Sequence, residues 1–278
     1  MTYKTILLHF NDERRAAGLL DAATFLAAGH QAHLIGLFVM PPIPAYNALS
    51  IGSSIIKSGL ASFRDEALRV RRLFEEACRA RSIACEWRLI DDVQVPVASV
   101  VMEHGRCCDL IMASQRDRSW DFTQLMEEPE LLAIESGRPV LIIPHAGRFA
   151  SFGQRVTVAW NGRREAARAV FDALPLLTAA ERVRVVWVNP QKEQPMAGDV
   201  PTAEICAALS RHSVKCEAAT SQATGIDVGN ILLSGLTDDS SDLLVMGAYG
   251  HARLREFVFG GTTREILNHM TAPVLMSH

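Results

Sequence analysis

The chain has 278 residues, 49% of them apolar and 21% charged, with a net charge of −3 and a pI near 6.3. This composition excludes a disordered chain and argues against a nucleic-acid-binding surface. No apolar run is long enough to span a bilayer, and no basic segment followed by an apolar core and a cleavage site stands at Met1, so a soluble, cytoplasmic protein is expected.

In chain order, apolar runs near 4–10, 33–39, 84–89, 109–113 and 139–143 predict strands, and amphipathic stretches near 14–28, 58–81, 95–105 and 129–136 predict helices. Between them, Met40 to Pro44 and Ser50 to Ser54 read as a loop, either a lid or a linker. The pattern then starts again. Strands are expected near 155–160, 182–188, 214–218, 242–246 and 273–277, and helices near 163–177, 202–212, 226–237 and 262–270. Apolar strands alternating with helices indicate a parallel sheet covered on both faces, an α/β doubly wound fold. In such sheets ligands sit beyond the carboxyl ends of the strands, where the winding direction reverses.

The second run repeats the first. Asn11 matches Asn161, and Ala16-Ala17 match Ala166-Ala167 at the same offset. Ser82 to Glu86 parallels Ser213 to Glu217, and Asp109 to Ser114 parallels Asp242 to Gly247. Both runs close on a Pro-Val-Leu strand, Pro139 to Leu141 and Pro273 to Leu275. Matched anchors in one order imply a duplicated unit, with domains expected at 1–146 and 154–278 and a short linker from Pro144 to Gly153.

The last forty residues carry the densest chemical signal. The apolar strand Leu243 to Met246 ends in Gly247, with Gly250 three residues later. After nine residues come Gly260, Gly261, Thr262 and Thr263, opening a helical pattern. Glycines let a backbone approach a bulky anion, and a helix N-terminus offers unpaired N–H groups to phosphate. The tail thus has the parts of a phosphate cradle, without the lysine of a Walker A loop. Tight turns alone are the competing reading of the glycines, and a Thr262-x-x-Glu265 capping box is that of the threonines. His251, Arg253 and Arg255 are candidate phosphate contacts or solvated loop charges.

These residues resemble the universal stress protein family, whose nucleotide-binding members show G-x-x-G, nine residues, then G-[S/T]. Gly247, Gly250 and Gly260 stand at that spacing, and the chain looks like a tandem, two-domain member. The resemblance implies two Rossmann-like domains of the adenine nucleotide alpha hydrolase type, related by a pseudo-two-fold. It also implies pairing through the last strands of each, and homodimers. It further implies binding of an adenine nucleotide, ATP with AMP or ADP as alternatives, by Asn161, Gly162, Val188, Gly247, Gly250, His251, Gly260, Gly261, Thr262 and Thr263. Val188 would offer only backbone to adenine. Two departures are visible. Gly261 follows Gly260 where a hydroxyl is usual, and Asn161 stands where the first strand usually ends in Asp.

The first half departs further. Ser114 to Asp117 replace the G-x-x-G, and Glu127, Glu128, Pro129 and Glu130 replace the Gly-Thr segment. Pro129 suits a first helical position, and carboxylates there satisfy the helix dipole while repelling a triphosphate. This half is expected not to bind ATP. His9 is expected to be a satisfied core or edge histidine.

The six cysteines form no C-x-x-C pair and no zinc-type spacing, so free structural thiols are expected, with Cys107 and Cys108 buried or half-buried. With no P-loop lysine, magnesium-ligating pair or catalytic triad in view, the expected activity is binding as a sensor or switch, without robust catalysis. The alternative is a nucleotide-independent scaffold or ligand-binding module for partner proteins.

Overall fold

The apolar runs become parallel strands, joined within each unit by helices that fold back over the sheet. The computed structural model describes residues 2–41, 53–91, 95–117, 119, 129–190, 202–222, 225–248 and 261–278, with the side chains of 53–60 left aside. The chain divides into two units, Thr2–Ser151 and Phe152–His278.

The N-terminal unit contains β1 (Thr5–Phe10), α1 (Ala16–His30), β2 (His33–Val39), α2 (Ser53–Ala80), β3 (Cys85–Ile90), α3 (Val97–Gly105), β4 (Leu110–Ser114), α4 (Pro129–Glu135) and β5 (Val140–Ile143). Its strands lie in the order β3-β2-β1-β4-β5, all parallel. β1, β4 and β5 are apolar almost throughout because helices cover both faces, and they are buried accordingly. The edge strand β3 alternates instead between half-buried and exposed residues. Phe74 of α2 packs on Phe10 of β1 and Trp87 of β3, with ring centroids 5.6 to 6.0 Å apart within the cluster.

The C-terminal unit contains β6 (Arg155–Ala159), α5 (Arg164–Asp172), α6 (Leu174–Leu177), β7 (Arg182–Val188), α7 (Ala203–Arg211), β8 (Cys216–Ser221), α8 (Val228–Asp238), β9 (Leu243–Gly247), α9 (Gly261–His269) and β10 (Val274–Ser277). Its order, β8-β7-β6-β9-β10, repeats that of the first unit. The sheet is therefore doubly wound in each unit, as the alternation implied.

Equivalent residues do equivalent work. The Asp109 carboxylate accepts from the Lys4 and Thr5 amides, at 2.6 and 2.9 Å, pinning the start of β1 to β4. Asp242 accepts from the Gly153, Gln154 and Arg155 amides at 3.0 to 3.1 Å, pinning β6 to β9. Ser82 and Ser213 both take a left-handed backbone, φ 55° and 64°, where a helix turns into the next strand.

Three boundaries differ from expectation. The helix expected over 163–177 is two helices, because Pro175 cannot donate an intrahelical hydrogen bond and the run breaks at Ala173. α2 begins at Ser53, so Ser53 and Ser54, expected in a loop, belong to the helix. β8 starts two residues and ends three residues later than expected, because its register is set by pairing with β7 from Cys216 to Ser221.

Candidate functional site

The strand order of the C-terminal unit reverses between β6 and β9: the chain moves outward from β6 to β7 and β8, and from β9 to β10 on the other side. The carboxyl ends of β6 and β9 therefore flank the crevice where doubly wound sheets take ligands. At the end of β6 the Trp160 amide donates to the Val186 carbonyl at 2.9 Å, and the chain then leaves the sheet. The Asn161 Oδ1 accepts from the Arg163 amide at 3.1 Å, a side-chain-closed turn. Gly162 completes it at φ 72°, a left-handed conformation glycine adopts without strain. Asn161 is thus first of all a turn-former, its carbonyl oxygen committed to the backbone. Val188 ends β7, buried, and the next amide, Asn189, donates to the Ser221 carbonyl.

Gly247 ends β9 under the first turn of α5. A methyl group there would lie 2.5 Å from the Glu165 carbonyl carbon and 2.6 Å from the Ala166 nitrogen. Its φ is not left-handed, so glycine is required by the proximity of α5, not by the turn. α9 begins at Gly261, which is exposed; Thr262 is half-buried and Thr263 is buried. Thr262 lies inside the first turn, and the Glu265 carboxylate pairs with His269 at 3.6 Å. Gly250, His251, Gly260, Arg253 and Arg255 lie outside the described residues.

Two carboxylates at this edge were not singled out from the sequence. Glu165, in the first turn of α5, is 5% exposed and accepts from Arg164 Nε at 2.6 Å. Burial works against its charge. The Arg164 hydrogen bond, its own backbone amide and the charges of Arg164 and His278 outweigh burial and hold the carboxyl below its ordinary range. His278 Nδ1 lies 2.9 Å from the Ala248 carbonyl oxygen. Asp227 caps α8 by accepting from the Gly229 amide at 2.8 Å. Its other oxygen lies 4.0 Å from where a Gly261 methyl would stand, beside the start of α9. The cap was legible in the position of Asp227 ahead of an apolar helix. Its approach to α9 was not, because it depends on how α8 packs against α9.

The equivalent edge of the N-terminal unit is filled differently. Asp12 stands where the second unit has Gly162, and Arg15 where it has Glu165. Arg15 Nη2 and Nε donate to Asp12 Oδ2 at 2.7 and 3.0 Å, and the Arg15 amide donates to Asp12 Oδ1 at 2.9 Å. Both side chains are buried. Arg15 Nη1 reaches the Gln115 carbonyl at 3.4 Å, and the Gln115 side-chain oxygen accepts from the His145 amide at 3.1 Å. Pro129 opens α4 as expected, and Glu130 pairs with Arg116 at 3.5 Å. Glu127 and Glu128 lie outside the described residues. Ser119 donates to the Asp117 carboxylate at 2.6 Å, and that hydrogen bond holds the carboxyl below its usual range against burial.

Two expectations are corrected. His9 is buried, but its Nε2 has no hydrogen-bond partner, so it is not satisfied. Burial, reinforced by the Arg15 charge, pushes its pKa down to about 3. Cys107 is exposed and only Cys108 is buried, because Cys107 precedes β4 in a solvent-facing turn. Among the described residues, no group of three or more His, Cys, Asp or Glu is placed to hold a metal ion. None of the described helices is long and apolar enough to cross a membrane.

Residues 153–278 match the model of the Universal stress protein family. Universal stress protein Slr1230 of Synechocystis sp. is 26% identical over 171 residues, a stretch covering 60% of this chain and 57% of that protein; the match thus spans little more than half of the relative's length. A crystal structure of a universal stress protein from Archaeoglobus fulgidus DSM 4304 superposes with a TM-score of 0.74 at 16% identity, covering 98% of this chain and 95% of that one. A putative universal stress protein from Pseudomonas aeruginosa UCBPP-PA14 superposes with a TM-score of 0.58 at 15% identity, covering 99% and 93%. These likenesses establish the fold.

Proposed function

We propose that the chain, whose residues 153–278 match the Universal stress protein family model, is a stress-response protein whose C-terminal unit binds an adenine nucleotide, ATP in the first place, as a sensor or switch without robust catalysis. The observation that carries the reading is the convergence of the Asn161-Gly162 turn, the end of β7 at Val188, Gly247 and the start of α9 on one edge, at the strand-order reversal. A helix N-terminus at that edge supplies N–H groups to an anion, with Thr262 and Thr263 beside them. Gly250, His251 and Gly260 complete the set by their spacing. The N-terminal unit takes no nucleotide in this reading, since the buried Asp12–Arg15 pair and the Arg116–Glu130 pair occupy the corresponding edge with the chain's own charges.

Asn161 orients the ribose side only through its amide nitrogen, because its oxygen holds the turn. The protein works in the cytoplasm, and copies of the chain pair as homodimers. A nucleotide-independent scaffold is the second reading, and Glu165 and Asp227 favour it. Both place negative charge where phosphates would sit. Equilibrium dialysis of the purified chain against ATP, ADP and AMP separates the two. One nucleotide per chain, lost on Gly250→Glu with an unchanged unfolding midpoint, supports the nucleotide switch. No binding of any of the three supports the scaffold, and two per chain refutes the asymmetry. Turnover at about 1–100 per second, the ordinary kinase range, would contradict a binding role.

A further inference from the structure

Each unit brings two cysteines together at the same place. The helix preceding the edge strand carries one, and the first residue of the strand is the other. In the N-terminal unit these are Cys78 in α2 and Cys85 heading β3; in the C-terminal unit, Cys206 in α7 and Cys216 heading β8. Within each couple the strand thiol is close enough to act on the helical one, raising its pKa beyond the effect of burial. Cys216 Sγ also donates to the Cys206 carbonyl at 3.4 Å. All four are free thiols; Cys78 is buried, and Cys85, Cys206 and Cys216 are half-buried.

The local fold explains the meeting. The left-handed residues Ser82 and Ser213 reverse the chain after the helix, and the next amides close back on it, Ile83 to the Cys78 carbonyl and Val214 to the Leu209 carbonyl. The head of the strand is thereby laid against the last turns of the helix. Leu209 is the positional counterpart of Cys78, and Cys206 lies about one turn earlier. The two units therefore supply the helical thiol from different positions and bring it to the same strand residue. Simple duplication of one cysteine pair does not account for this.

We propose that the couples Cys78–Cys85 and Cys206–Cys216 are two oxidation sites, each closing to a disulfide within its own unit on reaction with a hydroperoxide. The half-buried strand cysteine, as thiolate, attacks one peroxide oxygen. An S–O bond forms, the O–O bond breaks, and the other oxygen leaves as water or alcohol, taking up a proton. The helical thiol then attacks the sulfenic sulfur. The S–S bond forms, the S–O bond breaks, and the hydroxyl leaves as water with the second thiol's proton. Two sulfurs are oxidised and the peroxide is reduced, with no other reactant. The order of the steps follows from the environments. Burial first, then the partner thiol, pushes Cys78 and Cys206 up to about 12 each. These two keep their protons and act second, as the resolving thiols.

The test treats the reduced full-length chain with a modest excess of hydrogen peroxide and counts thiols after denaturation. The sequence assists, because Arg79 and Arg81 lie between the first couple, and Arg211 and Lys215 between the second. Trypsin thus leaves each bridge as two linked peptides. The expected result is loss of four of the six thiols, with linkages Cys78–Cys85 and Cys206–Cys216 reversed by dithiothreitol. Cys85→Ser and Cys216→Ser should each halve that loss. The proposal is overturned if all six thiols survive, if loss falls on Cys107 and Cys108, if bridges join separate chains, or if sulfinic acid accumulates without linkage. The wild-type peptide map decides even where a serine variant folds poorly.

Discussion

Replacing Gly247 with alanine puts a methyl group against the backbone of α5. The nearest atoms would be 2.5 and 2.6 Å away, whereas ordinary contact begins at 3.4 Å, a shortfall of 0.9 Å at the closer atom. The obstructing atoms are backbone, so no side chain can swing aside. Either α5 moves away from β9 or the end of β9 bends. Forcing one extra carbon into a packed contact costs about 1–3 kcal/mol, and the conformational gain from removing glycine, about 0.4–1 kcal/mol, offsets only part of it. Gly235→Ala in α8 is the control, since nothing lies within 4 Å of its added methyl. That substitution should stabilise by about 0.5–1 kcal/mol, as in any open helix interior. Urea unfolding of both variants against the parent reads the difference as midpoint shifts of opposite sign. A Gly247→Ala midpoint equal to or above the parent's would refute the packing argument and return Gly247 to a purely ligand-facing role. A lowered midpoint means that lost nucleotide binding in this variant reports displacement of α5 as well as of the cradle.

Three further outcomes are expected. His9 is neutral in the folded chain down to about pH 3, whereas the unfolded chain protonates it below 6.5, so its contribution to stability is lost as pH falls from 6.5 towards 3. The slope is roughly 1.4 kcal/mol per pH unit across that window, and His9→Leu should flatten it in unfolding curves taken from pH 7 to 4; an unchanged pH dependence would contradict the assignment. Arg15→Met leaves the buried Asp12 carboxylate short of its main partner and should cost about 3–5 kcal/mol, while Asp12→Leu combined with Arg15→Met should cost much less, a non-additivity read by a double-mutant cycle in denaturant. Phe74→Ala empties the centre of the Phe10–Phe74–Trp87 cluster and should lower stability by about 3–5 kcal/mol, with a change in near-ultraviolet circular dichroism from Trp87.

The alternation of apolar runs and amphipathic stretches, and their repetition at matched anchors, were enough to determine the sheet type and nearly every element. Strands buried on both faces must be apolar throughout, and helices covering them must be amphipathic, so the pattern is local and written in one dimension. Even the anchors proved physical: Asp109 and Asp242 recur because each pins the first strand of its unit, and Ser82 and Ser213 because each turns the chain left-handed. What the linear order could not decide was which side chains meet at the carboxyl edge. Gly247 reads as a turn glycine until α5 is seen lying on it. Glu165, Asp227 and Arg15 read as ordinary helix-start charges until packing brings them to the reversal of strand order. Cys78 with Cys85, and Cys206 with Cys216, are separated in sequence and joined only by the reversal after each helix. The period of a strand or helix is set by residues in succession. A site is set by the distances between elements, and those exist only once the sheet is wound.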